Sequence, residues 1–463
     1  MAKLTIINPA TEEIIGELDE DTTSTLQEKY NRAVSAFESW KATQISERIK
    51  IVGKFKDLLL SNLDSLAEVL TKEVGKPIGQ SRNEIRAVTA RIDFFLENVS
   101  SVLQEETVLR TLGGTEAALE EKISYDPLGV IANISAWNYP YFVGSNVFIP
   151  ALLTGNTVLY KPSEFASLTG LEIADLFYRA GLPRDVFIPV IGGGRTGAEL
   201  LKLPVNGVYF TGSVGTGLKI AESLGGRLIR LQMELGGKDP AYVCDDVDIK
   251  TAAESLADGA FYNTGQSCCS VERIYVHKSV YGSFMDQFMK TVNSFKLGDP
   301  EDASTYIGPV TRSAQILQIK SQIRDAVSKG AKLLTGGDRA DRKGFYLEPT
   351  VLADVNHSME VMREESFGPV IGIMQVSSDE EATRLMNETT YGLTAGVYSS
   401  NRSRAEKILS KIDAGTVYWN CCDRVSPRLP WTGRKHSGIG STLSRIGIQA
   451  FVQPRAWHLR SPS

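Results

Sequence analysis

Apolar positions in the first hundred residues recur at helical spacing. Two short apolar stretches, residues 4–8 and 13–17, surround Pro9-Ala10-Thr11 and predict a hairpin-like entry. Leu26, Tyr30, Ala33, Phe37 and Trp40 then fall at three- and four-residue steps, and segments beginning near Ser46, Leu63 and Ile78 repeat the pattern. Gly and Pro are confined to breaks such as Gly75-Lys76-Pro77. The spacing predicts a long helical block from Thr22 to about Glu106, serving as scaffold. Between Leu109 and Pro127 the period shortens, with Ala117, Leu119 and Ile123 interleaved with polar residues as in a strand. After Pro127-Leu128-Gly129, strand-length apolar runs alternate with amphipathic segments of helix length: Val130–Ser135, Thr157–Lys161, Val186–Ile191, Val208–Thr211 and Leu228–Leu235. That rhythm predicts βαβ units, a parallel sheet with helices on both faces. A second α/β stretch runs from Ala241 to about Ile412, with further strands at Arg273–His277, Val370–Val376 and Gly415–Trp419. The segment from Cys421 to Gly440 reads as a surface loop and Phe451–His458 as a last strand.

Composition narrows this picture. A chain of 463 residues exceeds one ordinary core, so two or three domains are expected. A hydrophobic content of 42% and a charged content of 23% are those of an ordinary globular protein. The net charge of -5, without any basic run, excludes nucleic acid or an anionic membrane as main partner. Residues 130–153 are the most apolar, but Asn133, Asn138, Pro140, Gly144 and Asn146 interrupt them, so they read as buried strand and helix. The first twenty residues mix apolar with acidic positions, which predicts no signal peptide. Cys244, Cys268, Cys269, Cys421 and Cys422, odd in number and paired in sequence, suit a reducing cytoplasm. His277, His357, His436 and His458 show no ligand spacing, so no metal site is expected.

Candidate chemistry concentrates in two stretches. Phe261 to Cys269 holds a sulfur nucleophile, and Met233-Glu234-Leu235-Gly236-Gly237-Lys238 holds a carboxylate between apolar residues and glycines. A thiolate attacks carbonyls well, and a positioned carboxylate activates the water that releases the product. Spacing does not choose between Cys268 and Cys269. In Ala136-Trp137-Asn138-Tyr139-Pro140, directly after a predicted strand, Asn138 either offers its amide to an oxyanion or forms a turn. Lys161-Pro162-Ser163-Glu164 ends another strand and suits a ribose or phosphate, or else a capped helix entry. Phe210-Thr211-Gly212-Ser213-Val214-Gly215-Thr216-Gly217 passes from strand into helix as a pyrophosphate loop does, without the G-x-G-x-x-G fingerprint. Gly192-Gly193-Gly194 reads as a turn. Glu365-Ser366-Phe367-Gly368-Pro369 and Pro430-Trp431-Thr432-Gly433 complete the set.

These motifs, in this order and spread over nearly the whole chain, resemble those of the aldehyde dehydrogenase superfamily. The resemblance implies that Cys268, in the pattern Gly-Gln-any-Cys, is the nucleophile and Glu234 the base for water. Asn138 and the Cys268 backbone N–H would hold the oxyanion. Trp137, Lys161, Ser163 and Glu164 would bind the cofactor, as would Gly212, Ser213, Gly217 and Leu235, with Glu365 and Phe367 at the nicotinamide end. NAD is favoured because Glu164 repels a 2′-phosphate, with NADP possible because Lys161 softens the repulsion. The implied architecture is α/β, with two Rossmann-like parallel-sheet domains and a β oligomerisation arm. Residues 1–108 and 128–236 would form the dinucleotide-binding domain and 237–436 the catalytic domain. Residues 109–127 and 451–463 would form the arm of a homodimer or homotetramer.

The substrate would be a small-molecule aldehyde, converted to a carboxylic acid through a thioester. Its pocket would draw on Tyr139, Phe142, Ser267, Cys269 and Trp431. An aromatic wall suits an apolar aldehyde, or an ammonium by cation–π attraction as in betaine- or aminoaldehyde members. The absence of an Arg from the helix after Asn138 disfavours carboxylate-bearing semialdehydes, with Arg424 and Arg428 in the far loop as counterweight. Glu234 argues against a CoA-dependent acylating branch. Ser441-Thr442 stands where the family often has Arg-Glu, Thr432 where it has Gly, and Asn146-Val147 where bulkier or basic residues are common. Two other classes share the same residues: a cysteine esterase or acyl-transferase, and a non-catalytic binding relative.

Overall fold

The computed structural model describes residues 2–111 and 118–461, so positions 112–117 and 462–463 of the expected arm lie outside the described residues. After an antiparallel pair, Lys3–Ile7 with Ile14–Asp19, come four helices: Thr23–Ala42, Ile45–Ser61, Leu63–Val74 and Ile78–Val102. Their buried faces carry the predicted apolar stripe, including Leu26, Ala33 and Trp40. The Trp40 indole donates to the Leu152 carbonyl at 3.1 Å, joining the block to the helix Pro140–Leu153. Glu73 accepts the Leu168 and Thr169 N–H groups, at 2.6 and 2.8 Å, at the start of the helix Ser167–Ala180.

Two sheets organise the rest. In the first, the strands Phe187–Pro189, Thr157–Lys161, Val130–Ile134, Gly207–Thr211 and Arg230–Glu234 lie side by side in that order, all parallel. Chain order reverses between Val130–Ile134 and Gly207–Thr211. Such a reversal opens a crevice at the carboxyl ends of the strands, where open α/β sheets bind ligands. Gly438–Ile439 closes this sheet by pairing antiparallel with Arg230–Glu234. Chain from beyond residue 436 therefore returns to the first sheet.

The second sheet has seven strands: Lys332–Thr335, Thr350–Ala353, Val370–Val376, Val271–His277, Asp239–Val243, Thr394–Tyr398 and Thr416–Trp419. All its neighbours are parallel except the first pair. Asp239–Val243, Thr350–Ala353 and Thr394–Tyr398, whose residues are all buried, are strands that the sequence pattern did not mark individually. A third sheet pairs Val452–Arg460 and Glu106–Arg110 with Leu119–Pro127, all antiparallel. Val108, Leu109, Trp457 and Leu459 stand exposed on it. Among the described residues, no helix is long and apolar enough to cross a membrane.

Candidate active site

Cys268 is presented by backbone strain. The helix Ile249–Phe261 ends in a turn whose residues Asn263, Thr264 and Gly265 have φ of 53, 58 and 69°. A β-branched residue in the left-handed region is costly and persists only where its surroundings hold it. Here the Asn263 N–H donates to the Gln80 side chain at 2.8 Å, and the Asn263 amide donates to the carbonyls of Asn138 and Gln266, each at 3.1 Å. The Thr264 hydroxyl accepts the Gly308 N–H at 3.1 Å, and the Gln266 side chain accepts that of Thr311 at 2.9 Å. A Cβ on Gly265 would lie 2.3 Å from the Gly368 carbonyl oxygen. Gly265→Ala is therefore expected to lower stability by about 2 kcal/mol or more, read by chemical denaturation, and to misplace Cys268.

The turn separates the two thiols. Cys268 is half-buried and opens on a cavity, whereas Cys269 is buried. The Cys269 thiol donates to Asp423 at 3.0 Å, and its hydrogen bond with Cys268, burial and the Asp423 charge all push its titration up. Asp423, itself at φ 47°, also accepts from Ser267 at 3.5 Å, and burial raises its carboxyl to about 6. It thus grips both residues flanking Cys268. Sequence reasoning missed Asp423, since nothing in a predicted loop marks one carboxylate among its neighbours.

Asn138 sits beside this turn. One of its amide N–H bonds donates to the Gln266 carbonyl at 3.1 Å, the second has no partner among the described residues, and Asn138 lines the same cavity. The helix that follows, Pro140–Leu153, is held from the helical block: Glu84 accepts the Tyr141 N–H at 2.9 Å and forms a fully buried pair with Lys76. Gln80 and Glu84 therefore make the block more than the scaffold its pattern predicts. The contacts of Glu84 with Tyr141 and of Gln80 with Asn263 were invisible in sequence because the partners are distant in the chain.

Glu234 ends its strand on the other side. One carboxylate oxygen, Oε1, accepts from the Gln232 amide at 2.9 Å and from the Thr442 hydroxyl at 3.1 Å. The other, Oε2, is buried without a partner among the described residues. Burial pushes this carboxyl well above the usual range, and the two donors oppose the shift. Glu234 does not itself line the cavity, although Leu235 and Gly236 do.

The cavity, about 1340 Å³, follows the switch point of the first sheet. At one end lie Lys161, Ser163 and Glu164, the Lys161 ammonium buried and its titration lowered for that reason. In the middle, Ser213 caps the helix Val214–Leu224 and Gly215 faces open space. A Cβ on Gly217 would come within 2.7 Å of Leu235, so glycine lets this helix approach the strand end. Cys268, Trp137 and Phe367 also line the cavity, the two rings edge-on with centroids 5.5 Å apart. Glu272 accepts the Ser366 and Phe367 N–H groups at 2.8 and 2.9 Å and pairs with Lys238 at 2.6 Å, pinning this loop. Glu365 accepts from the Gly237 N–H at 3.0 Å, and burial raises it to about 8.

The profile described as the aldehyde dehydrogenase family matches residues 2–457. The chain belongs to that family. The peroxisomal aminoaldehyde dehydrogenase 1 of Malus domestica is 34% identical over 459 residues, covering 97% of this chain and 91% of the relative. The NADP(+) succinate-semialdehyde dehydrogenase of Deinococcus radiodurans is 33% identical over 450 residues, covering 97% and 93%. A betaine aldehyde dehydrogenase point mutant from Staphylococcus aureus, solved with NAD+, superposes with a TM-score of 0.95 at 30% identity, covering 100% of this chain and 95% of that one.

In this aldehyde dehydrogenase the cofactor residues expected from sequence, from Trp137 to Phe367, border one cavity, apart from Gly217, which shapes its wall. Gly192-Gly193-Gly194 is not merely a turn: Gly194 opens the helix Gly194–Leu200, which lines the cavity through Gly197 and Ala198. The expected pocket residues Tyr139, Phe142, Ser267, Cys269 and Trp431 do not line it. Tyr139 and Phe142 are stacked, with Lys76 and Arg91 each 3.9 Å from one ring. Arg91, reaching in from the helix Ile78–Val102, also donates to Asn146 at 2.9 Å. The helix after Asn138 lacks an Arg, but another helix supplies one.

Proposed function

We propose that this family member oxidises an aldehyde to a carboxylic acid with NAD as acceptor, through a thioester on Cys268. The observation that carries the reading is that Cys268 and Asn138 open onto the same cavity as Lys161, Glu164 and the Ser213 helix start. The cavity fits a dinucleotide: its lining offers a carboxylate and an ammonium, a helix start with its N–H groups, two aromatic rings and the thiol. Glu164 would take ribose hydroxyls and Ser213 phosphate, with Glu365 and Phe367 toward the nicotinamide. When bound, the nicotinamide supplies the hydride acceptor.

The protein's own part begins with the Cys268 sulfur bonding to the aldehyde carbon. The oxyanion is held by the free Asn138 amide N–H and the Cys268 backbone N–H. After oxidation the carbon remains on sulfur as a thioester. Glu234 takes a proton from water, whose oxygen displaces the thiolate. The relatives' names span aminoaldehyde and semialdehyde substrates. Tyr139 and Phe142 already face protein cations, which favours an apolar aldehyde over one held by cation–π attraction. The exposed apolar residues of the three-stranded sheet suit a homodimer or homotetramer. The free thiols suit the cytoplasm.

Absorbance of reduced nicotinamide, followed with apolar, ammonium-bearing and carboxylate-bearing aldehydes and with NAD or NADP, tests this. Apolar aldehydes with NAD are expected to give the highest kcat/KM. No reduction with any aldehyde would return the site to the esterase or binding classes.

A further inference from the structure

Two positions where the chain departs from the family pattern, Thr432 and Thr442, lie on one turn, and the second of them contacts Glu234. Trp431 and Thr442 exchange backbone hydrogen bonds at 2.8 and 2.9 Å, and the Thr432 hydroxyl donates to the Gly440 carbonyl at 2.7 Å. Leu443 and Ser444 follow in the left-handed region, with φ of 58 and 53°. The turn is therefore fixed from both sides, and it aims the buried Thr442 hydroxyl at Glu234. Gln232, two residues earlier on the same strand and so on the same face, supplies the second donor to the same oxygen.

We propose that Thr442, braced by Trp431 and Thr432 and acting with Gln232, is a positioning residue for thioester hydrolysis, anchoring Oε1 of Glu234 and leaving Oε2 as the proton acceptor. The proposal rests on Glu234 being the base. In the step served, the water oxygen bonds to the thioester carbon and one water proton passes to Oε2. The C–S bond then breaks, giving the carboxylic acid and the Cys268 thiolate.

Among the described residues, no charged side chain bonds to Glu234. On the strand bearing Glu234, Arg230 turns to the Val452 carbonyl. On the segment before Gly438–Ile439, Arg434 turns to Asp413, Lys435 to the Asn387 and Thr389 carbonyls, and His436 is exposed. Arg445, on the helix after Thr442, is exposed. Glu365 is engaged by Gly237. Burial raises the Glu234 carboxyl, and the hydroxyl and amide are what oppose it. Removing the hydroxyl moves the carboxyl further up, so the basic form is reached at higher pH.

The test uses the full-length enzyme acetylated by 4-nitrophenyl acetate, which needs no cofactor. After removal of excess ester, loss of the acetyl group from Cys268 is followed by intact-protein mass spectrometry across pH. Thr442→Val is expected to acetylate at the wild-type rate but to lose the acetyl group roughly tenfold more slowly, with the rising pH limb displaced upward. Thr442→Ser is expected to return to within about twofold of wild type. Deacetylation of Thr442→Val at the wild-type rate and limb would overturn the proposal. So would an equal slowing of acetylation and deacetylation with the limb unmoved, since that is a packing effect. Failure of the wild type to acetylate at Cys268 would instead overturn the nucleophile reading beneath it.

Discussion

Replacing Cys268 by Ser is expected to lower aldehyde oxidation by roughly 10³-fold or more, because a hydroxyl is a far weaker nucleophile than a thiolate at neutral pH. Cys269→Ser is expected to keep turnover within a few-fold. Position 269 points away from the cavity, and a serine hydroxyl there retains a donor for Asp423. The pair of variants separates adjacent residues that no spacing argument distinguishes. Steady-state kinetics with reduced-nicotinamide detection measures both. Loss of turnover in Cys269→Ser with retention in Cys268→Ser would reverse the assignment.

Glu234→Gln is expected to show a burst of about one reduced nicotinamide per active site, followed by turnover lowered roughly 10²-fold or more. Thiol attack and hydride loss precede the step that needs the carboxylate, so the acyl group accumulates on Cys268. In the wild type, a carboxyl raised by burial is a base only above its own titration point. Hydrolysis should therefore rise with pH through that point and be lost below it, and Glu234→Gln should abolish this limb. Rapid-mixing absorbance and mass spectrometry of the trapped thioester check both. Normal steady-state turnover in Glu234→Gln would show that another group activates water.

Much of the molecule was legible in the chain because its signals are local. Thr157–Lys161 and Val370–Val376 coincide with the expected strands, and the four helices begin where the apolar stripe does. The cavity residues lie at strand ends and at a helix start, which the alternation of apolar runs marks directly. Lys332–Thr335, short and exposed at a sheet edge, gave no such signal. The short helix Ser444–Gln449 was likewise missed.

By itself, the sequence determined the α/β class, the family and the segments that border the cavity, since each is carried by a contiguous run of residues. Which thiol faces that cavity was decided by the tertiary structure, through three left-handed residues and the Asp423 contact. So was the engagement of the Tyr139 and Phe142 rings by Lys76 and Arg91, and that of Glu234 by Thr442. In each of these the partners are distant in the chain. Their side chains meet because burial leaves a charge or hydrogen-bonding group no solvent to turn to, and only packing chooses which distant residue satisfies it.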